Sequence, residues 1–323
     1  MNVLVCGGAG YIGAHMCKVL AEAGHTVSVF DNLSTGHAEA VRWGRFVQGD
    51  LLVPQDIERA FADTAYSAVM HFCARSLVGE SMTRPDLYYK NNVTGTMNLL
   101  DAMVKHGVKH FIFSSSAAVY GAPQYVPIDE LHPTAPINPY GQTKLMAETI
   151  LADYDKAFGI KSVSLRYFNA AGADPDGTLG ENHEPETHLI PNILRSVVAG
   201  SKQALKVFGN DYATPDGTCI RDYIHVLDIC AAHLQALRYL ADHGKSDVFN
   251  LGNGKGFSVT QVIDCAGKVT GIPIAYSIDK PRAGDPPVLV ASAGKAKKSL
   301  AWAPKFPDLT AIIETAWAWH RKR

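Results

Sequence analysis

Three glycines spaced three residues apart, Gly7, Gly10 and Gly13, separate a short apolar run at residues 3–6 from a helical pattern at 11–23. This feature constrains the chain most. A strand that turns through such a loop into a helix needs glycine at the tight bend, and again where the backbone must approach a ligand. The helix that follows offers free N–H groups and the positive end of its dipole to an anion. The next apolar run, 26–30, ends at Asp31. A carboxylate there accepts hydrogen bonds from ribose hydroxyls and disfavours a phosphate on that ribose. The next basic residue is Arg42, so the pattern predicts a dinucleotide without that phosphate, NAD rather than NADP.

The alternation continues. Further strand patterns occupy 45–47, 68–72, 110–114 and 161–167. Helical patterns occupy 54–62, 85–106 and 138–158, the last with Asn138 as N-cap and Pro139 at its first position. Strands and helices at this spacing predict a Rossmann-like α/β fold, a doubly wound parallel sheet covered on both faces. After Gly172 the texture shifts to Gly, Pro, Asp, His and Thr. A smaller substrate lobe is expected over 173–323, with residues 220–240 rejoining the first domain, 1–172. The formal net charge of −1 gives no field to attract nucleic acid or anionic lipid. No apolar run is long enough to span a bilayer. The chain enters a strand at Val3, which predicts no signal peptide. Six scattered cysteines without a Cys-x-x-Cys pair predict free thiols and a cytoplasmic protein.

Tyr140 and Lys144 stand four apart at the start of a helical pattern, on one face. Tyrosine, with an ordinary pKa of about 10, is a poor base at neutral pH. A nearby ammonium and a positive nicotinamide would favour the phenolate. Such a tyrosine takes a proton from a hydroxyl while hydride leaves the same carbon. Ser114, Ser115 and Ser116 end the fifth strand pattern, and Ser116 is placed to bond both the substrate hydroxyl and Tyr140.

With these residues in view, the chain resembles the extended short-chain dehydrogenase/reductases, and within them the UDP-glucose 4-epimerase family. The resemblance runs through residues 7–13, 31–36, 114–121, 138–144, 166–172, 216–226 and 281–285. It implies an NAD-dependent interconversion of UDP-glucose and UDP-galactose through a 4-keto sugar, with tightly held NAD, in a homodimer paired through helices 85–106 and 138–158. The implied NAD site joins Tyr11, Ile12, Asn32, Asp50, Leu51, Phe72, Cys73, Ala74, Asn91, Ser114 and Tyr167 to the residues above. Asp50 reads equally well as a turn residue. The implied UDP-sugar site holds Ser116, Asn169, His188, Leu189, Lys206, Phe208, Arg221, Arg282, Asp285 and Leu289. Guanidinium forks match phosphate oxygens, which makes Arg221 and Arg282 the anchors; a salt bridge from Arg221 to Asp222 or a neighbour is the plainer alternative. Ser76 stands where relatives carry lysine, with Arg75 beside it. Leu289 stands where others have tyrosine or a small residue beside the sugar.

Rival readings are another UDP-sugar 4-epimerase, a nucleotide-sugar dehydratase and a non-catalytic NAD sensor. A dehydratase needs an acidic pair after the serine, and here Ala117 and Ala118 follow. A sensor can dispense with the tyrosine and lysine, and this chain keeps both. His183-Glu184-Pro185-Glu186-Thr187-His188 superficially resembles a zinc motif. Pro185 bars the helix that motif requires, so no metal is expected.

Overall fold

The computed structural model describes residues 1–200, 205–282 and 285–323. The chain begins β1 (Asn2–Cys6), α1 (Tyr11–Glu22), β2 (Thr26–Asp31), β3 (Arg45–Gln48), α2 (Pro54–Phe61) and β4 (Ala68–His71). It continues α3 (Val78–Thr83), α4 (Pro85–Tyr88), α5 (Gly95–Lys105), β5 (His110–Ser116), α6 (Pro139–Phe158) and β6 (Lys161–Tyr167). Then come β7 (Asn169–Ala171), α7 (Leu189–Val198), β8 (Leu205–Phe208), β9 (Ile220–His225), α8 (Val226–His243) and β10 (Asp247–Leu251). The described chain closes with β11 (Gly256–Ser258), α9 (Val259–Thr270), β12 (Tyr276–Asp279), β13 (Val288–Leu289), α10 (Gly294–Ser299) and α11 (Leu309–His320).

Seven strands form one parallel sheet in the order β10-β6-β5-β4-β1-β2-β3. Strand order reverses on either side of β1, and the crevice beyond the strands' carboxyl ends is where such sheets take ligands. Alternation along β5 serves both faces. Phe111 and Phe113 pack with Leu99 and Leu151 of α5 and α6, while Ile112 joins Met16 and Leu237 of α1 and α8. Each such fully buried side chain contributes on the order of 1.5–3 kcal/mol.

The sheet takes its outer strand, β10, and a covering helix, α8, from beyond residue 172. The division at 172/173 is therefore crossed twice, by residues 226–251. The smaller lobe gathers α7, α9 and α11 around Ile193, Leu194, Tyr223, Val262 and Ile312. Small parallel and antiparallel pairings of β7, β9, β11 and β13 lie beside it.

Helix α6 starts and stops as its sequence dictates. The Asn138 side chain accepts from Gly141 N–H at 2.8 Å, and Gly159 ends the helix with φ of 68°. The continuous helix expected over 85–106 is broken instead. Between α4 and α5 the backbone widens into a π-turn, Tyr89–Thr94, that turns Asn92 into the interior. Such turns recur at functional sites.

Candidate active site

The glycine loop closes on itself. Gly7 has φ of +86°, and a Cβ at Gly13 would lie 2.0 Å from the Gly7 carbonyl oxygen. Gly10 caps α1 without a side-chain cap, leaving the first-turn N–H groups to a ligand. Asp31 is buried; its carboxylate accepts from Ala9 N–H at 3.0 Å and Leu33 N–H at 2.8 Å. Burial raises its pKa, and those two bonds pull it back. Asp50 accepts from Asn32 Nδ2 at 2.9 Å and from Leu52 N–H at 2.8 Å, so it does serve as a turn residue. The Tyr11 hydroxyl donates to Gly172 carbonyl at 2.6 Å, tying α1 to the end of β7. Ile12 packs on the core. Phe72, Cys73 and Ala74 follow β4, and Cys73 N would lie 2.7 Å from a Cβ at Gly7.

Ser116, Tyr140 and Lys144 come together where β5 meets the first turn of α6. Lys144 is buried and donates to the Ser114 carbonyl at 2.7 Å. Its Nζ stands 5.9 Å from the Tyr140 ring centre and 4.8 Å from that of Phe113. Burial lowers Lys144 to about 8, with Glu148 opposing. Burial raises the Tyr140 phenol above 10, and its hydrogen bond with Ser116 pulls it down. The depressed tyrosine expected from the sequence is therefore not a property of the chain alone. Tyr167 lies beside Tyr140, raised by burial, while a bond with Ser114 opposes.

Three features behind this trio are silent in the sequence. His233 of α8, held neutral by burial at about 4, uses Nδ1 toward the Ile229 carbonyl at 2.9 Å. Its Nε2 therefore accepts from Ser114 Oγ at 3.0 Å. Asn92 bonds the Arg75 carbonyl and Thr143 Oγ1, both at 3.0 Å, and accepts from Arg75 N–H at 2.9 Å. It ties the loop after β4 to the helix that carries Tyr140. Neighbouring Asn91, expected at the cofactor, donates to the Asn92 side chain at 2.9 Å. Glu148, one turn beyond Lys144, pairs with Arg166 at 2.5 Å and accepts from Ser115 at 2.5 Å. Arg166 also donates to Tyr120, and Tyr120 to Asn250.

Apart from Ser116, the expected substrate residues lie in segments that follow β6. Asn169 opens β7 and pairs with Tyr223 of β9. Leu289 and Arg221 are paired residues of β13 and β9. Arg221 forms an ion pair with Asp285, not Asp222. Asp222 accepts instead from the N–H groups of Asn253, Gly254 and Ala291. The Arg282 guanidinium sits 4.3 Å from the Phe208 ring centre. Leu289 packs on Val119, Tyr120 and Ile128, just past Ser116. His188 caps α7 next to Leu189 and contacts Glu181. Lys206 pairs with Asp279 at 3.0 Å on the surface. Arg75 lies 3.4 Å from Glu80. Ala283 and Gly284 of the last sequence motif lie outside the described residues.

Residues 3–252 match the model of the NAD dependent epimerase/dehydratase family. The chain is 50% identical over 322 residues to a UDP-glucose 4-epimerase of Halalkalibacterium halodurans, covering 100% of this chain and 96% of that one. The chain belongs to that NAD-dependent epimerase family. The structure of UDP-glucose 4-epimerase from Brucella ovis in complex with NAD is similar at 49% identity, with a TM-score of 0.96 over 99% of this chain and 98% of that one. The Bifidobacterium longum UDP-glucose 4-epimerase, in complex with NAD+ and UDP, is similar at 38% identity, with a TM-score of 0.95 over 100% and 98%.

NAD, the cofactor of the family, fits the cradle. A Cβ at Gly10 would meet no protein atom nearer than 3.4 Å, so packing within the chain does not demand glycine there. The open space beside it, the free N–H groups of α1 and the buried Asp31 suit a pyrophosphate and its ribose. Among the described residues, no helix is long and apolar enough to cross a membrane.

Proposed function

We propose that this chain interconverts UDP-glucose and UDP-galactose by oxidising and then re-reducing C4 of the hexose. The observation that carries the reading is the Ser116–Tyr140–Lys144 cluster at the mouth of the dinucleotide cradle. Ala117 and Ala118 follow it, where a dehydratase needs carboxyl groups. NAD, when bound, supplies the hydride acceptor and a positive ring beside the tyrosine. Tyr140 takes the proton of the 4-hydroxyl through its contact with Ser116 and later returns it. The Lys144 ammonium favours the phenolate at that moment. His233 and Asn92 hold Ser114 and the β4 loop, so these groups do not drift.

The nucleotide must stay fixed while the hexose turns over. Arg221 and Arg282 are assigned to the diphosphate, with Asp285 setting the Arg221 fork, and Asn169 lies beside the diphosphate and sugar. The segment His188-Leu189, with Lys206 and Phe208, is assigned to the uridine. Asn32, Asp50, Leu51, Phe72, Cys73, Ala74, Asn91 and Tyr167 complete the NAD site. Leu289 forms the wall beside the sugar. The protein acts in the cytoplasm, in keeping with six free cysteines. It works as a homodimer paired through residues 85–106 and 138–158, a surface where Tyr89 and Met97 are exposed with Met82 nearby in sequence. The test is incubation of the purified protein with a panel of UDP-sugars and chromatographic separation of products. Conversion of UDP-galactose to UDP-glucose is expected, and loss of water from the sugar would refute the reading.

A further inference from the structure

The loop between β7 and α7 carries four side chains that this chemistry leaves unused except at one ring. Glu181, His183, Glu186 and His188 each bring one ligand atom within 4.8 Å of the others. From its sequence the segment is expected to hold no metal, because Pro185 bars a helical His-Glu-x-x-His. The folded loop makes a helix unnecessary. His183 Nδ1 lies 3.3 Å from Glu181 Oε1 and 3.9 Å from Glu186 Oε1. His188 Nδ1 lies 3.7 Å from Glu186 Oε1 and touches Glu181 Oε1. Bonds of about 2.0–2.2 Å around a tetrahedral ion put its ligand atoms roughly 3.3–3.6 Å apart. The separations of 3.3, 3.7 and 3.9 Å are close to that spacing, and the His188–Glu181 contact must open for an ion to enter.

A second observation is independent of that clustering. The Glu186 side chain is only 2% exposed, yet its Oε2 is buried with no hydrogen-bond partner. The Arg195 guanidinium stands 3.8 Å from that oxygen, beyond hydrogen-bond reach. Its Oε1 accepts from the N–H groups of Thr187 and His188 at 2.9 and 3.0 Å, bonds that orient the carboxylate as outer partners orient a metal ligand. Glu181 is equally buried, at 4%. Two carboxylates withdrawn from water this close together require positive charge between them, supplied by the two imidazoles when protonated or by an ion when they are neutral.

We propose that Glu181, His183, Glu186 and His188 form a binding site for one divalent transition-metal ion of the zinc type. Two imidazoles and two carboxylates suit such an ion better than calcium or magnesium, which favour all-oxygen shells. Four protein ligands make a closed, structural site. The ion ties the loop to the first turn of α7 and holds Leu189 in place. It takes Nδ1 of His188 and leaves Nε2 as an N–H donor for substrate, so the site goes beyond the epimerase reading without displacing it.

The test uses the holoprotein, dialysed against a chelator and titrated with Zn2+ in competition with a chromophoric chelator. One ion per chain should bind at micromolar concentration or tighter. Glu186→Gln and His183→Gln should each weaken binding by at least about tenfold to hundredfold, the scale known for outer-shell partners alone. Far-ultraviolet circular dichroism and NAD content report whether each variant folds, and either folded variant suffices. Loading with Co2+ should give the visible bands of a low-coordinate nitrogen–oxygen site. Absence of saturable binding, unchanged affinity in the folded variants, or a thiolate charge-transfer band pointing to the cysteines would each overturn the proposal.

Discussion

At the scale of single residues, Tyr140 carries the largest expectation. Tyr140→Phe keeps the ring and removes the proton carrier, so turnover should fall by roughly two to four orders of magnitude while NAD is retained. Steady-state kinetics and nucleotide content check this; near-native turnover would show that another group moves the proton. Lys144 gives a prediction in pH. Its pKa is lowered from 10.5 to about 8 by burial, so the folded state disfavours its charged form. That destabilisation is complete below about pH 8 and fades as pH rises to 10.5, where the unfolded chain loses the proton too. Lys144→Met should therefore melt above the native protein at pH 7, with the gap closing toward pH 10.5. Melting curves across that range test it, and a gap that stays constant or widens contradicts it. The same variant should lose turnover and shift its pH–rate profile to higher pH, because the ammonium no longer favours the phenolate. Leu289 governs breadth. Extra atoms against a packed wall cost about 1–3 kcal/mol, or roughly ten- to hundredfold in rate. UDP-N-acetylglucosamine should be a weak substrate, and Leu289→Cys should improve it with little loss on UDP-galactose. Comparison of kcat/KM for both sugars in both proteins decides, and no change in the variant removes Leu289 from that role.

At the scale of elements, legibility depended on how far apart in the chain the partners lie. The glycine loop and the Tyr140–Lys144 pair are local patterns, each set within one turn or one helix, and they read directly. The Asn138 cap and the Gly159 stop were legible for the same reason. His233 was not, because its partner Ser114 is 119 residues away and a lone histidine on an apolar helix face looks like core. Asn92 was hidden similarly, bonded 51 residues away through a π-turn that no periodicity marks. The clustering of Glu181, His183, Glu186 and His188 was hidden because it depends on how the loop folds, and not on a helix joining the two histidines. The loop itself makes a contrast between two glycines. Gly10→Ala adds a methyl group whose nearest protein contact is an ordinary one, 3.4 Å to the Gly7 carbonyl oxygen, whereas Gly13→Ala drives one to within 2.0 Å of the same oxygen. Gly10→Ala should fold with little change in melting temperature yet lose most of its NAD; Gly13→Ala should be destabilised. Thermal melts with nucleotide quantitation separate the two, and full NAD content in Gly10→Ala would show that the cofactor does not approach there.

At the scale of the whole molecule, the alternating strands and helices made the doubly wound sheet readable before its topology was known. The return of β10 and α8 to that sheet was only half legible, since no composition shift marks the point where the chain crosses back. Exposed Met82, Tyr89 and Met97 near the helices expected to pair lead to a solution mass of twice 34.9 kDa by light scattering. A mass of one chain would place that surface elsewhere in the protein's biology. The central claim is that one bound NAD serves both halves of each turnover. Its most direct test follows UDP-galactose deuterated at C4 through conversion by the purified protein, with no added cofactor and then with excess unlabelled NADH. The account predicts UDP-glucose that keeps its deuterium at C4 under both conditions. Loss of the label to added NADH, or no turnover until NAD is supplied in stoichiometric amounts, would contradict it.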